Sequence, residues 1–132
     1  MMSSFPPEAL AFVLDALTVR VFWKDRESRF LGCNKAFADD AGIADRAEFI
    51  GRSDYYFYHP EQASEFRRDD AEVMFADQPK LGIVEKLTKM GGEVIWLETN
   101  KWPIHDDKGQ VIGVLGMYQD ITERMRAEQI AA

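Results

Sequence analysis

Residues able to do chemistry are sparse in this chain. It holds one cysteine, Cys33, and two histidines, His59 and His105. A single thiol excludes an intrachain disulfide framework and a multi-cysteine zinc site. The two imidazoles lie too far apart in sequence to match a zinc-ligand spacing, so no metal site is expected. Cys33 falls at the end of an expected strand, where a thiol acts as a small hydrophobe. His59 precedes Pro60 at a helix start, and His105 lies in a turn beside Asp106 and Asp107. Neither placement points to ligation. No Ser-His-Asp or Cys-His spacing, glycine-rich phosphate loop or paired-acid motif occurs, so the chain is not expected to be an enzyme.

Among the many carboxylates, Asp70 stands out. Helical spacing sets it inside an apolar stripe of Ala63, Phe66, Val73 and Met74. A buried carboxylate must be hydrogen-bonded or paired, or its pKa rises. The expectation is that loop amides donate to Asp70 and that it pins the middle of the chain. Glu85 and Lys101 are expected to meet across a hairpin as a surface ion pair, contributing about 0.2–1 kcal/mol.

The elements that must position these residues follow from patterning. Pro6 and Pro7 open a helix whose Leu10, Val13, Leu14 and Leu17 form one apolar stripe, with Phe12 on the far side. That stripe is expected to cover the outer face of a sheet, leaving Phe12 for a second copy of the chain. Residues 19–24 are rich in β-branched and aromatic types and read as a strand, and 29–33 as its hairpin partner. Asn34 caps a short helix over 35–40, ended by Gly42. Residues 43–59 read as turns, and a helix runs from 60 to 76. Three strands, over 81–89, 94–102 and 111–119, are separated by Gly91-Gly92 and by Asp106-Asp107-Lys108-Gly109. Asp120 and Glu123 fit a capping box for a last helix over 121–132. The fold class is α+β, an antiparallel five-stranded sheet with small helices on one face.

Several stretches resemble the PAS domain family. They are Trp23-Lys24-Asp25-Arg26, the run from Arg29 to Phe37, Gly51-Arg52-Ser53-Asp54, the run from Glu98 to Ile104, and Gly113 to Arg124. The Asp120-Ile121-Thr122-Glu123-Arg124 exit is the most specific of these. The resemblance spans about residues 8–128. It divides the chain into an N-terminal flanking helix (1–18), a PAS core (19–120) and an exit helix (121–132) leading to an effector. It implies a sensory domain of a bacterial histidine kinase or diguanylate cyclase, holding a small molecule in its core. On the strand parity of the family, the inward, ligand-facing residues are Phe22, Cys33, Phe37, Leu97, Thr99, Val114 and Tyr118. Signal would leave through Asp120, Ile121, Thr122 and Glu123. Lys24 could also point at the cavity and neutralise an acid there. The segment from Gly51 to His59 has no cysteine where flavin-binding members carry their reactive one, and His59 is poorly placed for haem. A colourless domain is therefore expected. The alternative is a dimerisation or protein-interaction module whose cavity is filled by its own side chains.

Composition agrees with one domain. The 132 residues are 46% hydrophobic and 30% charged, with nine Phe, four Tyr and three Trp for a core. Sixteen basic against 23 acidic residues give a formal charge of −7, which argues against nucleic acid and anionic membrane as partners. No apolar run approaches the roughly 20 residues of a bilayer span, and Met1 to Pro7 lack a signal-peptide pattern. The expectation is a cytoplasmic homodimer.

Overall fold

The structure, a computed structural model, describes residues 6–131. Expectations that fall on residues 1–5 and 132 lie outside the described residues. The elements are α1 (Pro7–Ala16), β1 (Arg20–Asp25), β2 (Phe30–Cys33), α2 (Lys35–Ala41), two single 3-10 turns (Arg46–Glu48 and Asp54–Tyr56), α3 (Pro60–Ala76), β3 (Lys80–Thr88), β4 (Val94–His105), β5 (Val111–Asp120) and α4 (Thr122–Ala131). The five strands form one antiparallel sheet in the order β2-β1-β5-β4-β3.

Local chemistry explains the boundaries. Pro60 sits at the start of α3, where the missing amide is not needed. Gly42 ends α2 in the left-handed region at φ +73°. Strand β4 runs past the expected Trp102 to His105 and includes Pro103. Because β3 begins opposite Lys101, β4 has only β5 beside it beyond that point, a setting that tolerates a strand proline.

Asn34 does more than cap a helix. Its Oδ1 accepts from the Phe37 amide at 3.0 Å and the Val21 amide at 3.0 Å, and its Nδ2 donates to the carbonyls of Leu14 and Val19, both at 2.9 Å. All four hydrogen-bonding valences of the side chain are filled, which is what full burial demands. One residue thereby ties the end of α1, strand β1 and the start of α2 together.

The same ties correct the expectation for α1. Asp15 accepts from the Lys35 amide and pairs with Arg46 at 3.0 Å, so the end of the helix is held beside α2. Leu10, Val13 and Leu17 do not cover the sheet; they are exposed, and no residue of α1 is buried. Phe12 is 74% exposed.

The core lies between the inner face of the sheet, α2, α3 and the middle turns. Phe22, Phe30, Phe37, Phe49 and Phe57 pack as one aromatic cluster, with ring centroids 5.3–5.9 Å apart for the pairs made by Phe30 and for Phe22 with Phe37. Gly116 makes room for it. A Cβ there would lie 2.1 Å from the Phe22 ring.

Candidate functional site

Inward-facing residues of β1 and β4 alternate with outward ones. On β4 they are Leu97, Thr99 and Lys101; on β1 they are Phe22 and Lys24. Helix α3 lays Phe66 and Asp70, one turn apart, over them. Together these enclose a cavity of about 30 Å³. Its apolar wall includes Phe22, Phe30, Phe37, Phe66 and Leu97, with Tyr58 and Tyr118 at one end. Its polar wall consists of Lys24, Lys101, Asp54, Glu85 and Thr99.

Four charges are buried at that polar wall. Lys24 Nζ donates to Asp54 Oδ2 at 2.6 Å and to Asp70 Oδ2 at 2.7 Å. Lys101 Nζ donates to Asp70 Oδ1 at 2.7 Å and to the Phe66 carbonyl at 3.2 Å. Ser28 Oγ adds a bond to Asp70 Oδ2 at 2.6 Å, from a backbone held in the left-handed region at φ 60°. Two lysines and two aspartates make the quartet neutral, so each buried charge is compensated. Burial would raise the Asp70 carboxyl, but Lys24 and Lys101 outweigh it and bring its pKa to about 2. Burial would lower the Lys24 ammonium, but Asp70 and Asp54 hold it above its ordinary value. The quartet joins β1, β4, α3 and the turn at Asp54.

Two expectations change here. Asp70 is buried as expected, but it accepts from side chains of two strands and of Ser28, not from loop amides. Glu85 and Lys101 do not form a surface pair. The register sets Glu85 opposite Leu97 and Lys101 opposite Lys80, with an irregularity between Lys80 and Ile83. Lys101 is buried on Asp70, and Glu85 Oε2 accepts from Thr99 Oγ1 at 2.9 Å. Burial raises the Glu85 pKa, against that bond and the attraction of Lys101.

Of the seven residues assigned to the inner wall from parity, Phe22, Phe37, Leu97, Thr99 and Tyr118 line the cavity. Cys33 and Val114 do not. Cys33 is buried in the aromatic cluster opposite Phe22, and burial pushes its thiol up to about 11, so it stays protonated at neutral pH. Val114 is fully buried, opposite Lys24 in the β1–β5 ladder, beyond the cavity's edge. Lys24 does line the cavity and neutralises acids there. His59 is exposed at the start of α3, and His105 bonds Asp77 at 2.6 Å; neither reaches the cavity wall. Lys101, Glu85, Asp54, Tyr58, Phe30 and Phe66 were not assigned to the wall from sequence. Lys101 had a signal, since it shares the parity of Leu97 and Thr99.

The exit junction sits against this wall. Leu97 pairs with Asp120, and Thr99 with Tyr118. Asp120 Oδ1 accepts from the Thr122 amide at 2.9 Å and also from its hydroxyl. The Trp96 amide donates to Thr122 Oγ1 at 2.9 Å, while the Ile121 amide donates to the Trp96 carbonyl at 2.8 Å. Ile121 is buried. The capping box is corrected: Glu123 is exposed and makes no hydrogen bond among the described residues, because Thr122 and Trp96 occupy the helix start instead.

Comparison with known proteins agrees with this architecture. A family model described as PAS fold matches residues 14–126. The methanogenesis regulatory histidine kinase FilI of Methanothrix harundinacea (strain 6Ac) is 30% identical over 111 residues, covering 84% of this chain and 12% of that protein. A diguanylate cyclase of Vibrio cholerae is 32% identical over 119 residues, covering 84% of this chain and 35% of that protein. The chain thus spans a minor part of the curated relatives it matches. A solved structure of the Vibrio cholerae VqmA dimer, in the absence of target DNA, superposes with a TM-score of 0.79 at 21% identity. It covers 92% of this chain and 53% of that one. No helix among the described residues is long and apolar enough to cross a membrane.

Proposed function

This chain belongs to the PAS fold family, and on that premise we propose that it is the sensory domain of a cytoplasmic signalling protein of the histidine kinase or diguanylate cyclase type. Its core cavity receives a small molecule, and α4 carries the response to an effector. The observation that carries this reading is adjacency. Leu97 and Tyr118 line the cavity, and Leu97 pairs with Asp120, the residue that seats α4. A molecule that displaces these two side chains acts on the strand ends that hold Thr122.

Dimerisation through α1 belongs to the same proposal. The exposed Leu10, Phe12 and Val13 give α1 an apolar surface that nothing in the described chain covers. The likeness to a protein solved as a dimer supports it. Phe12→Glu should lower self-association without loss of melting temperature; an unchanged sedimentation profile would refute this.

A second reading, an interaction module without a ligand, has one observation in its favour. At about 30 Å³ the cavity is well below the roughly 150 Å³ of an apolar cavity that takes up benzene. Native mass spectrometry and an absorption spectrum of the purified chain separate the two. A bound small molecule, with no flavin or Soret band, is the expected result. Bare protein at every preparation would favour the interaction module.

A further inference from the structure

The charge and hydrogen-bond ledger of the cavity wall defines what it can accept. An ammonium carries three N–H donors. Lys24 uses two, on Asp54 and Asp70; Lys101 uses two, on Asp70 and the Phe66 carbonyl. Each therefore has one N–H that no protein oxygen among the described residues accepts, and both side chains line the cavity. Glu85 accepts from Thr99 through Oε2, and its Oε1 has no partner among the described residues. The Tyr58 hydroxyl also makes no hydrogen bond among them. An apolar molecule would leave these groups unpaired in a desolvated space, at a cost for each.

Charge then narrows the class. Of the charged groups that line the cavity, two ammonium groups, Lys24 and Lys101, stand against two carboxylates, Asp54 and Glu85, so an ion of either sign meets as many like charges as opposite ones. An uncharged molecule avoids both repulsions. Size narrows it further. Tyr58 and Tyr118 separate the inner cavity from an outer recess of about 80 Å³, which Leu87, Lys89 and Met90 help to line. Tyr118 Oη donates to Asp40 Oδ2 at 2.6 Å, and Asp40 pairs with Lys89 at 3.0 Å, closing that partition. A molecule too large for the inner cavity would extend between the two rings into that recess.

We infer that the cavity takes a small uncharged molecule with an apolar body and one polar edge, whose acceptor meets a lysine while its donor meets Glu85. This rests on the reading that the core cavity holds a small molecule. It is tested with 2-pyridone, whose ring N–H and carbonyl are neighbours, against benzoate and benzylammonium as charged molecules of similar size. Binding is followed by amide chemical shifts at Thr99, Lys101 and Tyr118.

The expected result is saturable shifts with 2-pyridone and none with either charged probe at the same concentration. Glu85→Leu should weaken 2-pyridone by at least about tenfold, the scale of one lost buried hydrogen bond. Glu85→Gln, which keeps an acceptor oxygen, should retain most of the affinity and controls for folding. Tighter binding of a charged probe, or an affinity indifferent to Glu85→Leu, overturns the inference and leaves the ligand-holding cavity standing. No shift with any of the three probes overturns both.

Discussion

The two walls of the cavity are built on opposite principles. One is a cluster of phenylalanines in which Phe30 touches Phe22, Phe37, Phe49 and Phe57. Each such pair adds about 0.5–1.5 kcal/mol beyond its burial, and the rings can shift to accommodate a change. The other is four buried charges that share four short hydrogen bonds with one another and with Ser28. The aromatic wall draws its strength from many small contributions. At the charged wall a single missing partner leaves an uncompensated ion. The first is suited to yield to a ligand, and the second to hold α3 and the Asp54 turn against the sheet while it does.

Substitution should expose that difference. Asp70→Ala removes the carboxylate shared by both lysines, and breaking a buried pair costs about 3–5 kcal/mol. Denaturant unfolding should show a loss of that size. A loss below about 1 kcal/mol would mean that the quartet is not a structural clamp.

Acid offers a milder perturbation of the same wall. The folded-state pKa of Asp70 is depressed, from 3.8 to about 2. Its contribution is therefore complete above the unfolded value and is lost as pH falls through that window, amounting to roughly 2 kcal/mol. Stability measured from pH 5 to pH 2 should fall in wild type. With Asp70→Asn, the part of that slope lying between pH 4 and pH 2 should flatten.

The aromatic wall should respond least. Phe37→Leu is expected to cost about 1–2 kcal/mol, because neighbouring rings can close part of the space. A cost equal to that of Asp70→Ala would erase the contrast between the walls.

How far the sequence foretold these walls follows the same division. The aromatic wall was readable in part, because the strand parity of the family that the chain resembles marks Phe22, Phe37, Leu97, Thr99 and Tyr118 as inward, together with Cys33 and Val114, which do not line the cavity. The charged wall was readable only in part. Asp70 declared itself by interrupting an apolar stripe, yet its partners lie 46 and 31 positions away in sequence. Asp54 sits in a single 3-10 turn with no periodicity to reveal its direction. Lys101 was expected beside Glu85, but the β3–β4 register sets Glu85 opposite Leu97, and Lys101 lies four positions further along β4. The expectation for α1 failed for a related reason. Its placement is set by Asn34, Asp15 and Arg46, three polar residues whose meeting is long-range, while its apolar stripe remains uncovered.

The central claim is that the cavity wall and the seat of α4 form one mechanical unit. Tyr118→Phe tests it most directly, since it deletes the hydroxyl bonded to Asp40 and keeps the ring in the wall. Native-state amide hydrogen exchange should then speed up at Ile121 and Met125, whose amides bond the Trp96 and Ile121 carbonyls, more than at the β1–β2 hairpin. Exchange that rises equally throughout the domain, or not at all in α4, would contradict the account.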